Sequence, residues 1–432
     1  MATQTELPRK LGLADSVAIV SGTMIGSGIF LVPNLVAREL HSSGAIVFMW
    51  VLTGILSFFG ALAYAELGSM IPATGGQYVY LREIYGPLWA FLSGWALFFT
   101  DLTASVAWLA INFANYLSYF IPFSPRAGKL VALAVIAVIT AVNYRGVSLG
   151  AGVQKALTFL KLAGLAILIA GAFLHPAHAP APPAGGGFSL THFGAAMIFG
   201  LLGYDGWLAL SFVAGEVRHP KRNIALALAV GVGIVMAVYV LANVAYLRVL
   251  TIPEIAAAPR VGQLAAERSL GAAGASLISL TVLLSIAGSA NGWLMTAPRV
   301  YFAQARDGLF LRPFAAIHPR FQTPHFAILL FGAWSALLAV SGSYETLITY
   351  ALLPAWVFYG LTAAGVLVLR RRHPHRTRPF DMPGYPVTLI LFLLVAVAFV
   401  ADTFVATPGP ALISALIILS GVPVYYFWKR NP

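Results

Sequence analysis

The sequence predicts an all-α membrane protein of twelve transmembrane helices, arranged as a five-plus-five inverted repeat in which helices 1 and 6 are broken. Three observations predict it. The 432-residue chain is 59% hydrophobic and only 9% charged, whereas a soluble domain carries about 25% charged residues; lipid as the solvent removes the need for more. Apolar runs of the roughly 20 residues that span a bilayer recur along the whole chain. Two of these runs are interrupted by glycines at comparable places, five spans apart.

The runs lie near 13–38, 44–70, 88–121, 128–146, 152–174, 191–214, 224–248, 272–300, 325–341, 346–369, 386–404 and 410–428. Backbone polar groups in lipid must be satisfied within the segment, which selects helices, and the short alternating segments of a barrel are absent from the pattern. The first run contains Gly22-Thr23-Met24-Ile25-Gly26-Ser27-Gly28-Ile29-Phe30, and the sixth contains Gly200-Leu201-Leu202-Gly203-Tyr204-Asp205-Gly206-Trp207. Small residues at such spacing also favour close helix crossing. Two such segments in register, however, point to unwinding around a mid-membrane site. This places one repeat at 13–174, a second at 191–370 and two additional helices at 386–428, all within a single transmembrane domain. Between runs, His175–Leu190 reads as an external connector, 251–269 as an external loop with a short helix, and 304–324 and 370–386 as basic connectors on the opposite side.

Charge sets the orientation. Most of the 26 Lys and Arg, among them Arg9, Lys10, Arg218, Lys221, Arg222, Arg299, Arg306, Arg320, Arg370, Arg371, Arg372, Arg376, Arg378 and Lys429, fall on the side of the N-terminus. Arg38, Arg126, Lys129, Arg248, Arg260 and Arg268 fall on the other. This positive-inside bias predicts a multi-pass plasma (inner) membrane protein with both termini cytoplasmic, and it accounts for the net charge of +12 without nucleic acid. The polar start MATQTELPRK predicts no cleavable signal peptide. There is no cysteine, hence neither disulfide nor thiolate metal site. Neither metal-ligand His spacing within a span nor a phosphate-cradling Gly-x-x-x-x-Gly-Lys occurs, so an enzyme, an ATP-driven pump, a metal and a cofactor are not expected.

A broken helix presents unpaired N–H donors and a positive dipole end on one side, and carbonyls with a negative end on the other. An amino acid carries one carboxylate and one ammonium. Amides around Ser27 and Gly28 suit the carboxylate; carbonyls near Met24, Leu202 and Gly203 suit the ammonium. The expected backbone site is therefore Thr23, Met24, Ile25, Gly26, Ser27 and Gly28 with Phe199, Leu202, Gly203 and Asp205. Lys161, within the fifth span, is the most informative single residue. It lies six residues beyond Lys155, about 9 Å deeper along a helix, where snorkelling to the surface is hard and a partner is needed. A fixed ammonium there would repel a cation, could bond carbonyls near Gly26 and the hydroxyl of Ser289, and is a candidate for proton exchange.

Taken together, the order and spacing of several motifs resemble the amino acid–polyamine–organocation superfamily, and within it the bacterial homologues of the L-type amino-acid transporters. The motifs are Gly22–Phe30, Tyr64-Ala65-Glu66-Leu67-Gly68, Gly75-Gly76-Gln77-Tyr78, Phe159-Leu160-Lys161-Leu162-Ala163, Gly203–Trp207, His219-Pro220-Lys221-Arg222-Asn223, Gly288-Ser289-Ala290-Asn291-Gly292 and Gly421-Val422-Pro423-Val424-Tyr425. The resemblance implies a LeuT-type fold with alternating access and an amino-acid substrate between spans one and six. It places Lys161 where sodium sits in sodium-coupled relatives, which implies sodium-independent transport, with exchange as the preferred mode. The disulfide that joins eukaryotic L-type light chains to a glycoprotein is impossible here without cysteine.

Several pocket residues depart from that pattern. Asp101, flanked by Thr100 and Ser105, stands where the resemblance implies an apolar residue facing the substrate side chain; it could select a cationic side chain, relay a proton, or bond Ser105 and serve packing. Trp293 resembles the pocket tryptophan of arginine–agmatine antiporters, and could cover an alkyl chain or simply pack between helices. Leu202 replaces an aromatic gate, so Tyr204 or Trp207 would have to supply a lid. Asp205 could couple protons or cap its own half-helix. Glu66, Glu216, Arg218 and Arg222 near helix ends read as gate ion pairs. The alternatives to exchange are proton-coupled symport, cationic amino-acid or polyamine antiport, and a non-transporting amino-acid sensor.

Overall fold

The computed structural model describes residues 6–176, 189–341 and 344–430. Eighteen α-helices follow one another: α1 Leu13–Met24, α2 Gly28–Glu39, α3 Ser43–Met70, α4 Gln77–Tyr85, α5 Pro87–Ala96, α6 Thr103–Leu117, α7 Pro125–Tyr144, α8 Val147–Leu174, α9 Leu190–Gly203, α10 Ala209–Phe212, α11 Pro220–Val249, α12 Ile252–Ala257, α13 Val261–Thr296, α14 Pro298–Arg306, α15 His325–Ser341, α16 Tyr344–Arg372, α17 Val387–Ala406 and α18 Pro408–Arg430. No strand occurs among the described residues. Among the described residues ten helical segments are long and apolar enough to cross a membrane, and Leu190–Gly203 and His325–Ser341 are shorter apolar helices. Each of the twelve apolar runs lies over one of these segments.

Local chemistry sets the ends. Pro stands in the first turn of α5, α7, α11, α12 and α14, where its missing N–H costs nothing. Ser124 caps α7 through the Ala127 amide. Thr251 and Glu254 form a reciprocal capping box on α12. The Thr251 amide and Arg268 together hold the Glu254 carboxyl down at about 2.

Two features differ from expectation. Residues Leu97–Leu102 form a π-helix that joins α5 to α6. The label α13 joins two helices across Gly271, whose non-helical φ of 72° only glycine adopts readily, so a short helix from Val261 ends there and the eighth span begins near 272 as expected. At the other end the span stops at Thr296, because Pro298 begins the separate helix α14. The connector His175–Leu190 falls largely outside the described residues.

The first span is the most buried of the ten, whereas α7 and α18 turn most of their surface outward. α8 and α13 lie side by side, and α11 packs along both α3 and α1, so α1 is enclosed by α8, α11 and α13.

Candidate functional site

α1 stops at Met24 and α2 begins at Gly28, leaving the last carbonyls of α1 without helical partners. Three neighbouring helices supply donors. Lys161 of α8 is fully buried. Its Nζ donates to the carbonyls of Gly22 at 2.8 Å, Ile25 at 2.6 Å and Ser285 at 3.0 Å. Ser285 Oγ lies 2.8 Å from the Ile25 oxygen and 2.9 Å from that of Gly26. Ser289 Oγ lies 3.0–3.1 Å from the oxygens of Gly22, Thr23 and Ile25. The expected bond from Lys161 to the Ser289 hydroxyl is not the one that forms: both are donors, and both turn to the same carbonyls.

Tyr239 of α11 donates to the Met24 carbonyl at 2.9 Å, and the Gly26 amide reaches the same oxygen at 2.9 Å. The Leu202 carbonyl likewise accepts from the Asp205 amide at 3.2 Å. Two of the three carbonyls expected to hold an ammonium are therefore engaged within the protein. The Gly203 carbonyl accepts no protein donor among the described residues. On the other side of the break, Ser27 caps α2 without using its side chain, and its buried Oγ has no partner. Free amides at the start of α2 and the positive end of its dipole thus face the gap.

The second break runs from the end of α9 at Gly203 to the start of α10 at Ala209. Backbone meets backbone here: a Cβ on Gly28 would stand 3.5 Å from the Cα of Gly203. Gly206 has φ 114°, and a Cβ on it would lie 3.0 Å from the Met24 nitrogen and 3.1 Å from the Thr23 carbonyl carbon. Gly206→Ala is therefore expected to force the two breaks apart and reduce amino-acid flux in liposomes at least ~10-fold, about 1.4 kcal/mol or more of barrier; a wild-type rate would refute the close approach.

Gly28, Phe199, Ser105, Leu202 and Asp205 are partly exposed although they belong to apolar segments. Asp101, on the π-helix, accepts from Ser105 Oγ at 3.3 Å, while its buried Oδ2 has no partner. Asp205 accepts from Tyr359 of α16 at 3.1 Å, and the Gly206 amide also points at it. The two carboxyls lie close enough to interact electrostatically.

Other expected residues turn elsewhere. Thr100 bonds the Ala96 carbonyl at 2.7 Å within its own helix. Thr23 is buried with its hydroxyl directed at Gly292 of α13. Ile25 is fully buried and contributes only its carbonyl. Trp293 is 6% exposed inside α13. Neither aromatic lid candidate stands free in this conformation. Tyr204 is fully buried, donates to the Trp50 carbonyl at 3.1 Å and packs against Trp50 and Tyr239. Trp207 is wedged edge-on against Tyr64, with ring centroids 4.8 Å apart, and against Tyr359 at 5.7 Å. Sequence reasoning missed Tyr239 and Ser285. Ser285 carried a signal, since it lies four residues before Ser289 on the same helix face.

Several contacts join the helix ends on the Leu11 side of the breaks. Leu11 and Val217 form a short parallel bridge, with Leu11 N–H donating to the Glu216 carbonyl and Arg218 N–H to that of Leu11. Glu216 and Arg299, both fully buried, pair through Nε at 2.8 Å, and Arg299 also reaches the Met295 carbonyl. Buried Glu66 pairs with Arg370 at 2.6 Å and accepts the Met382 amide at 2.9 Å. Of the residues expected in ion pairs, Glu66 thus pairs with Arg370 and Glu216 with Arg299, whereas Arg218 bonds the Arg9 carbonyl and Arg222 has no carboxylate partner among the described residues.

Comparison with known proteins agrees with this architecture. A family model described as amino acid permease matches residues 11–428. The human b(0,+)-type amino acid transporter 1 is 34% identical, over 98% of this chain and 88% of its own. The human cystine/glutamate transporter is 33% identical, over 99% of this chain and 87% of its own. The serine/threonine exchanger SteT of Bacillus subtilis is 32% identical, over 98% of both chains. These relatives are transporters and not enzymes, and the chain belongs to the amino acid permease family.

Proposed function

We propose that the protein exchanges amino acids across the plasma membrane without sodium, by alternating access in a twelve-helix, five-plus-five inverted repeat with both termini cytoplasmic. Residues 13–174 and 191–370 are the two repeats and 386–428 the additional helices. The substrate carboxylate sits on the amides of Ser27 and Gly28, its ammonium on the Gly203 carbonyl, and its side chain extends toward Leu202, Phe199, Asp205 and Asp101. The names of the relatives support the substrate class, and the serine/threonine exchanger supports the mode.

The observation that carries the sodium-independent reading is the Lys161 ammonium. It occupies the carbonyls of Gly22 and Ile25 that a bound sodium would need, and it brings its own positive charge. The test is counterflow of labelled amino acid into preloaded liposomes, with sodium replaced by a large organic cation. The expected rate is the same in both media, and a rate that requires sodium overturns the reading.

The unpartnered Oδ2 of Asp101 beside Asp205 favours a second reading on specificity, in which a cationic side chain or amine is the preferred cargo. A charge-assisted hydrogen bond is worth about 1.5–3 kcal/mol. Asp101→Asn is accordingly expected to weaken competition by arginine, lysine or agmatine ~10-fold or more while leaving neutral amino acids within ~2-fold. An equal effect on both classes would return Asp101 to a packing role.

A further inference from the structure

We propose that the groove between α7 and α15 binds an anionic phospholipid, with its acyl chains against the two helices and its phosphate at Arg145. The groove encloses about 860 Å³. Its α7 wall presents Leu133, Ile136, Ala137 and Thr140, one helix face by their spacing. The α15 wall presents Leu329, Ala333 and Ala336. Alanines on both walls hollow the contact between helices that touch deeper in, where a Cβ on Gly332 would lie 2.4 Å from Thr140 Oγ1. α7 is an apolar span and α15 a shorter apolar helix, so both walls suit acyl chains better than water.

At one end the groove stops on an aromatic floor. Phe321 and Tyr144 line it, His318 stacks on Phe321 at 4.6 Å, and Thr323 Oγ1 donates to the Tyr144 carbonyl at 2.9 Å. Around that floor stand three cations. Arg145 lines the groove and is exposed, the Arg320 guanidinium lies over the Phe321 ring, and Lys10 donates to Gln322 beside it. Among the described residues no carboxylate pairs with any of the three.

An apolar cleft ending in uncompensated positive charge at the membrane surface matches an acyl chain with a phosphate head. A second copy of this chain fits less well, because it would bring the same three cations to the same place. A zwitterionic lipid fills the cleft but returns an ammonium to a site that already has an excess of them.

The test uses the full-length protein in detergent, titrated with phosphatidylglycerol or phosphatidylcholine while its unfolding temperature is followed. A ligand of the folded state raises that temperature. Phosphatidylglycerol is expected to raise it by several degrees more than phosphatidylcholine. Arg145→Gln should remove most of the difference between the two lipids, and Ala333→Phe, which fills the exposed cleft, should reduce the response to both. The proposal is overturned if the two lipids act equally on the unsubstituted protein, if glycerol phosphate alone reproduces the shift, or if both variants respond as the unsubstituted protein does. Ala333→Phe also guards against misfolding of the charge variant, since it alters no hydrogen bond.

Discussion

Lys161→Ala is expected to lower exchange at least ~10-fold while the protein remains foldable. The reason is a shortage of protons. The oxygens of Gly22, Thr23, Ile25 and Gly26 stand at one buried break, and among the described residues their side-chain donors are the Lys161 ammonium and the hydroxyls of Ser285 and Ser289. Each hydroxyl has one proton to give, whereas the ammonium has three. Without it, some carbonyls are buried and unsatisfied at about 1–3 kcal/mol each, unless water or a cation enters. Sodium at tens of millimolar should then raise the unfolding temperature of the variant but not of the unsubstituted protein. Lys161→Arg should fail similarly, because a planar fork does not fit a site closed by Gly288, where a Cβ would already lie 2.9 Å from Nζ. An alanine variant with an unchanged rate would remove Lys161 from the mechanism.

Glu216→Ala should give the largest loss of stability. It leaves the Arg299 guanidinium fully buried with only the Met295 carbonyl to hold it, and breaking a buried pair in this way costs about 3–5 kcal/mol. The expected readout is a fall in the thermal midpoint of the detergent-solubilised protein. The informative comparison is the double variant Glu216→Ala with Arg299→Met, which removes both charges and should recover much of the loss. If the double variant is as unstable as the single one, the helix positions and not the ion pair hold this end of the protein together.

How much of this was legible in the sequence differs by feature. The apolar segments were, because lipid demands long apolar runs and the sequence supplies one for each of the ten spans and for the two shorter apolar helices. The breaks were, because Gly26, Gly28, Gly203 and Gly206 interrupt such runs where bare backbones touch. Lys161 was, because a lysine at that depth has no inexpensive alternative. Facing was harder. The π-helix at Leu97–Leu102 adds a residue to the turn without altering its apolar character, so the pattern of 3.6 residues per turn misplaces its side chains. Thr100 accordingly bonds its own helix while Asp101 points inward. Tyr204 and Trp207 stand on unwound backbone, which has no period from which to read a direction. The pairing of Glu216 with Arg299 spans 83 residues of sequence, a separation at which no local pattern constrains a partner.

The short bridge between Leu11 and Val217 has a practical consequence. The residues before span one and after span six are tied by main-chain bonds, so neither span can tilt away from the other there without parting them. The exposed residues beside the tie, Arg9 and Arg218, are natural positions for a pair of spectroscopic labels. Because the chain has no cysteine of its own, two introduced thiols would carry the only labels in the molecule, and the distance between them would report each parting of this tie in a single molecule.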